Sequence, residues 1–133
     1  MAQEQSPTYK LYKGAAELMA GVAGSEFSHM ALDEGDMSAF TEATNALTSE
    51  SAVSGLTRVA ATITNITTAQ TDDTVQAYYQ FTAAGTATIT GFGVFDGVAA
   101  GNMLMWCAFA ASLALESGDK VANTGKCQFK LGA

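Results

Sequence analysis

The chain has 133 residues, 48% apolar and 14% charged, with a formal net charge of −7 from six Lys/Arg and thirteen Asp/Glu. One domain's worth of chain buries enough surface to fold without staples; so apolar a composition excludes disorder, and two cysteines exclude a disulfide-dense scaffold. The acidic balance speaks against a nucleic-acid partner, which wants phosphate-neutralising cations; no run of 18 apolar residues offers a membrane span, and no basic-then-apolar leader opens the chain.

Residues 1–7 (MAQEQSP) are polar and end in the single proline, so they read as a flexible arm. Such an arm is either a frayed terminus or a segment that orders on a neighbouring subunit. Over 8–23, Leu11, Ala15, Leu18 and Val22 recur at helical spacing, broadened by Tyr12, Ala16 and Met19. Thr8 is a candidate cap, and Gly21 and Gly24 mark the end. This predicts a short amphipathic helix that covers one end of a core. A membrane-surface helix would want a cationic polar face, and here Glu17 offsets Lys10 and Lys13. Residues 26–32 predict a strand and 33–36 a turn. Residues 37–55 predict a long polar loop with one helical turn through 40–47, and a loop of that length is often functional or a contact surface.

From Leu56 the pattern is β. Val59, Ala61 and Ile63 alternate with Arg58, Thr62 and Thr64. Val75, Ala77, Tyr79 and Phe81 alternate with Gln76, Tyr78 and Gln80, the cleanest period in the chain. In 86–96, Ala87, Ile89 and Phe95 share one face and Phe92 and Val94 the other. Gly91 and Gly93 inside that strand predict a bulge or a close backbone approach. Residues 102–110 are apolar on both faces, which predicts burial on both, with a second sheet on one side and the helix or another subunit on the other. In the last strand Val121, Cys127, Phe129 and Leu131 face in, while Lys120, Lys126, Gln128 and Lys130 face out. One helix and at least six strands, with turns every 8–12 residues, predict a mainly β protein: an antiparallel β-sandwich, jelly-roll-like or immunoglobulin-like, with a short N-terminal helix. The domain runs over 8–133 after the arm, and Phe81, Phe95, Phe109 and Phe129 are its expected core aromatics.

Chemistry is sparse. His29 is the single histidine, with Glu26, Asp33 and Asp36 the nearest acids and Ser28 on the opposite strand face; a triad or zinc site needs convergent partners. Cys107 and Cys127 lack metal or redox spacing and are either buried free thiols or a cross-strand pair. The acidic runs at 33–36 and 72–73 lack the regularity of a calcium loop. Seven acids and no Lys or Arg lie between Lys13 and Arg58. No catalytic, metal or cofactor site is expected. Tyr9, Tyr12, Phe40, Leu104 and Trp106 are the candidate contact residues instead, with Trp106 set against a subunit or the N-terminal helix, since interface cores favour aromatic and Met side chains.

Gly91-Phe92-Gly93-Val94-Phe95-Asp96, then Gly101-Asn102-Met103-Leu104, then Ser117-Gly118-Asp119 occur in an order that resembles a family of tailed-bacteriophage structural proteins, tail-fibre-like or capsid-decorating. Residues 47–63, with Gly55 and Arg58, fit the same pattern, so the resemblance covers roughly 45–131. It implies a non-enzymatic β-sandwich of the virion, assembled in the host cytoplasm, where both thiols are expected to stay reduced. A chain of this size fits a shell add-on better than a long trimeric fibre. The expected function is therefore a capsid decoration (cement) protein on the outer head surface, with the major capsid protein and copies of itself as partners in a homo-oligomer. The alternatives are a tail-associated or fibre-like subunit and a carbohydrate- or receptor-binding sandwich, for which Trp106, Tyr78 and Tyr79 are the aromatic candidates.

Overall fold

The alternation at 75–81 becomes β5 (Thr74–Thr82), which pairs antiparallel with β8 (Lys120–Gln128) from Thr74↔Gln128 to Thr82↔Lys120. β4 (Thr62–Ile66) lies on the other side of β5, giving a three-stranded sheet in the order β4-β5-β8. A second sheet has the order β1-β7-β6-β2-β3, from β1 (Glu4–Pro7), β7 (Met103–Leu115), β6 (Ala87–Phe95), β2 (His29–Asp33) and β3 (Val59–Ala60), all antiparallel. A helix, α1 (Tyr9–Met19), follows β1. This computed structural model describes residues 3–22, 24, 26–99 and 101–130; the expectation for Leu131 lies outside them. The mainly β, two-sheet sandwich with a short N-terminal helix is as expected.

The main core lies between the sheets. Ala77, Phe81 and Val121 come from the smaller sheet, and Met30, Leu32, Ile89, Phe92, Val94, Leu104, Met105 and Cys107 from the larger. A second cluster forms on the far face of the larger sheet: Ala31, Met37, Phe95, Met103 and Trp106, with Phe40 and Leu47 packed on it. The doubly apolar strand is thus buried on both faces over Met103–Cys107, as expected, whereas Ala108 and Phe109 are partly buried and Ala110 is exposed. Within the chain its outer cover is not the helix but the long loop after β2.

Several local expectations are corrected. Residues 4–7 are not a free arm: they pair with β7 from Glu4↔Ala108 to Pro7↔Met105. An uncapped polar segment finds its backbone partners there because β7 would otherwise be an open, apolar edge. Thr8 does not cap the helix by its side chain; the hydroxyl donates to the Met103 carbonyl at 2.7 Å. The helix is short and covers little: Leu11 and Gly14 are buried, whereas Leu18, Met19 and Val22 are 46%, 88% and 58% exposed. No helix forms within 40–47, where the chain makes isolated turns. Asp33 ends β2 rather than opening a turn, and is fully buried.

The expected strand at 56–64 is two. β3 pairs with β2, and β4 pairs with β5 in the other sheet. The chain crosses at Ala61, whose N–H donates to the Ser28 carbonyl at 2.9 Å. Val59, Ala61 and Ile63 still pack on the main core, so the facing is right although the strand is broken. The glycines of β6 do mark a bulge: Ile89 pairs with Leu113 and Gly91 with Ala108, setting Thr90 against 109–112 of β7. A Cβ on Gly91 would lie 2.2 Å from the Cys107 carbonyl oxygen, so the backbones approach as only glycine permits. The shift changes the facing of β6. Ala87, Ile89, Phe92 and Val94 reach the main core, and Phe95, after a second shift, reaches the outer cluster.

Phe81 and Phe95 are buried as expected, Phe109 is partly buried, and Phe129 lies past the end of β8, 52% exposed. The 67–73 connection is built around Asp73. Its carboxylate accepts the N–H groups of Thr68, Ala69 and Gln70 at 2.9, 3.1 and 3.0 Å, the Thr74 hydroxyl at 2.8 Å and the Gln128 amide at 2.9 Å. These donors, foremost the Gln70 N–H, hold the Asp73 carboxyl well below the usual carboxylate range.

Two outcomes follow. Phe81→Ala removes a ring from the centre of the core and costs about 3–5 kcal/mol in urea unfolding, whereas Phe129→Ala costs about 0.5 kcal/mol or less. Because the folded pKa of Asp73 is depressed, its stabilising contribution is present above about pH 4 and is lost as pH falls below the unfolded value. Asp73→Asn therefore unfolds at lower urea than the parent at pH 7, with the gap narrowing at pH 3; a constant gap would place the anchor elsewhere.

Candidate functional site

The polar side chains that drew notice in the sequence serve as anchors of the fold. Asp33 Oδ1 accepts the Ser49 N–H at 2.7 Å, joining the two ends of the loop that leaves β2. Asp36 accepts the Ser38 N–H at 2.9 Å, which lowers its pKa and closes a local turn. His29 Nδ1 lies 2.8 Å from the Ser28 hydroxyl, which also reaches the Phe95 carbonyl at 3.2 Å. That pair is neighbouring in sequence and sits in the β2–β6 ladder, with no third group completing a relay in these bonds. Among the described residues no three His, Cys, Asp or Glu side chains gather as a metal site.

Neither cysteine is in a disulfide. They stand on different sheets, and burial raises the pKa of both thiols, offset at Cys107 by the Gln3 amide at 3.1 Å. Thiols raised in this way are poor nucleophiles at neutral pH.

Arg58, placed in sequence as an outward residue of a strand and as part of the resemblance, lies just before β3 with its side chain only 11% exposed. Its guanidinium grips Glu50 through Nε at 3.1 Å and Nη2 at 2.6 Å, donates to the Gly97 carbonyl at 3.1 Å, and lies 3.7 Å above the Phe95 ring. A forked, stacked geometry of this kind is specific to arginine. It binds the return of the long loop to the 96–102 turn, where the Asp96 carboxylate accepts the Asn102 N–H at 2.7 Å and side-chain amide at 3.1 Å.

The five candidate contact residues separate. Leu104 is fully buried and Trp106 is 4% exposed, so both are interior. The Trp106 indole N–H donates to the Thr41 carbonyl at 3.1 Å, and Phe40 meets its ring edge-on at 5.6 Å between centroids. Trp106 is thus the anchor for the long loop, a partner that sequence spacing does not indicate. Tyr9 and Tyr12 remain on the surface, 58% and 54% exposed, on a helix that also exposes Met19 and Leu18. Below that helix, Leu11, Leu18, Phe27, Ile63, Val75 and Phe129 line an apolar groove. Of the three aromatics weighed for sugar stacking, Trp106 is interior and Tyr79 packs on Phe81 at 4.8 Å, leaving Tyr78, 39% exposed, as an isolated platform.

The surface therefore presents strand edges, an apolar helix flank and loops, while Asp33, Asp73, Arg58 and the Ser28–His29 pair make contacts within the chain. A family model, the podophage GP4 fiber I protein gp80, matches residues 35–129, from the turn after β2 to the residue after β8. The match contains the Gly91–Asp96 strand, the Gly101–Leu104 turn and strand, the Ser117–Asp119 turn, and Gly55 with Arg58. No curated protein matches the chain. With the match spanning well over half of the sequence and strands of both sheets, the chain belongs to the podophage GP4 fiber I protein gp80 family, a tailed-phage structural family of fibre type.

Proposed function

We propose that the chain is a non-enzymatic structural subunit on the tail side of a phage particle, a fibre-type component that acts through contact surfaces. The observation that carries this reading is the family match over the long loop and the strands from β3 to β8. The anchors just described support it: Arg58, Trp106 and Asp73 stiffen loops instead of converging on a substrate. A subunit that must hold shape while its neighbours pull on it gains from loops tied at both ends. The family's printed description refers to a fibre, which favours the tail over the shell decoration expected from chain length.

Copy number and position separate the two. Quantitative mass spectrometry of purified particles, with gold-labelled antibody to locate the chain, is expected to find few copies, at the tail. Hundreds of copies spread over the head would replace this reading with capsid decoration.

A further inference from the structure

β7 runs on past its neighbour. Its pairing with β1 stops at Glu4↔Ala108, whereas β7 continues to Leu115. Among the described residues no strand pairs with 109–115 on that side, and 110–114 are exposed in succession. Neither charge nor proline blunts this length of edge. A bulge can turn an edge away from partners, but the one here opens a pocket. Thr90 stands against 109–112, so the ladder with β6 cannot take up every N–H and C=O group of those four residues. Beside them a pocket of about 260 Å³ separates the bulge from the start of the long loop, lined by Phe109, Ser112, Thr90, Ser38, Asp36 and, from β1, Glu4. Its two charged residues are the acids Glu4 and Asp36, and no Lys or Arg lines it. The ion pairs among the described residues are Lys13–Glu17 and Arg58–Glu50, so neither carboxylate is matched by a cation. The Ser38 N–H holds the Asp36 carboxyl below its usual range, so it is charged at neutral pH.

We propose that 109–115 of β7 is an acceptor edge for an extended segment of a different protein, which adds as a strand in line with β1 and sets a lysine or arginine into the pocket between Glu4 and Asp36. Main-chain hydrogen bonds to the open edge supply the attachment, and the pocket supplies the choice of side chain. Charge selects the occupant. Two carboxylates facing one pocket without a cation favour a basic side chain and oppose an acidic one. The chain itself has six Lys/Arg against thirteen Asp/Glu, so such a segment is better supplied by a partner than by another copy. The free backbone groups of the bulge favour an extended peptide over a lone small cation, which would leave them unpaired. The proposal holds whichever part of the particle carries the chain.

The test titrates the isotope-labelled full chain, followed by NMR, with a short capped peptide that alternates threonine and valine around one central lysine. Amide shifts are expected at 109–115, with 3–6 and 35–38 moving alongside, and the binding is expected to weaken as salt rises. The same peptide with glutamate in place of lysine is expected to bind at least about tenfold more weakly. The double variant Glu4→Gln, Asp36→Asn is expected to lose that preference and to bind both peptides alike. Ser112→Pro removes an N–H from the edge and is expected to abolish the shifts. If Ser112→Pro fails to fold, the parent decides with a lysine peptide N-methylated along its backbone, which is expected to cause no shift. Shifts centred on the groove under α1 or on β8, equal binding of the lysine and glutamate peptides by the parent, a charge preference that survives in the double variant, binding of the N-methylated peptide, or no shift at millimolar peptide would overturn the proposal.

Discussion

The larger sheet has no solvent face at its centre. From Met103 to Cys107 every residue of β7 is buried, and in β2 so is every residue from Met30 to Asp33. Side chains alternate across a sheet, so this pattern requires an apolar layer on both sides. The smaller sheet supplies one layer. Three strands cannot supply two, and α1, with Leu11 its one buried large side chain, lacks the surface to supply the other. The segment after β2 must therefore serve as a layer despite its polar composition.

A polar loop can do so only if its backbone groups are satisfied and its position is fixed. Met37, Phe40 and Leu47 bring the apolar contact to Trp106, Phe95 and Met103. The polar anchors act at the margins: Asp33 to the Ser49 N–H, Trp106 to the Thr41 carbonyl, the Met103 N–H to the Asn45 carbonyl at 3.1 Å, and Arg58 to Glu50. The Arg58–Glu50 pair is partly exposed, with 11% and 33% of the two side chains open to solvent. Its Coulombic contribution is correspondingly modest, of order 1 kcal/mol; its value lies in directing the loop's return over the Phe95 ring. The burial of Trp106 and its edge-on contact with Phe40 add more, since an aromatic pair contributes about 0.5–1.5 kcal/mol beyond the area it buries.

This construction bears on function. Trp106, Phe40 and the Arg58–Glu50 pair hold a loop against a sheet. What remains outside includes the strand edges, polar and charged side chains, and the apolar flank of α1 with Tyr9, Tyr12, Leu18 and Met19. The family to which the chain belongs matches the loop and the strands that follow it, whereas β1, α1 and β2 precede the match. The segment before the match presents Tyr9, Tyr12 and Met19 to solvent, and so carries a surface of its own character.

The amino-acid sequence by itself determined the strand-rich class, the clean facing of β5, the bulge at Gly91 and the double burial of β7. All of these rest on period-two patterning and on glycine's lack of a Cβ, which are local properties. Gly55 was visible only as part of a resemblance, Arg58 only as that and as a polar alternate in a strand pattern, and Tyr9 and Tyr12 could be named without a way of knowing that they stay exposed. The tertiary structure alone decided what each apolar face meets. Residues 4–7 carry no strand period, yet they pair because β7 has an edge to fill; residues 56–66 read as one strand, yet they divide because the alternation is the same in either sheet. Trp106 looked like an interface residue because a doubly apolar strand signals two covers without saying which segment provides the second. That choice depends on long-range contacts between the loop at 37–47 and strands some sixty residues away in sequence, a pairing for which no local pattern carries the information.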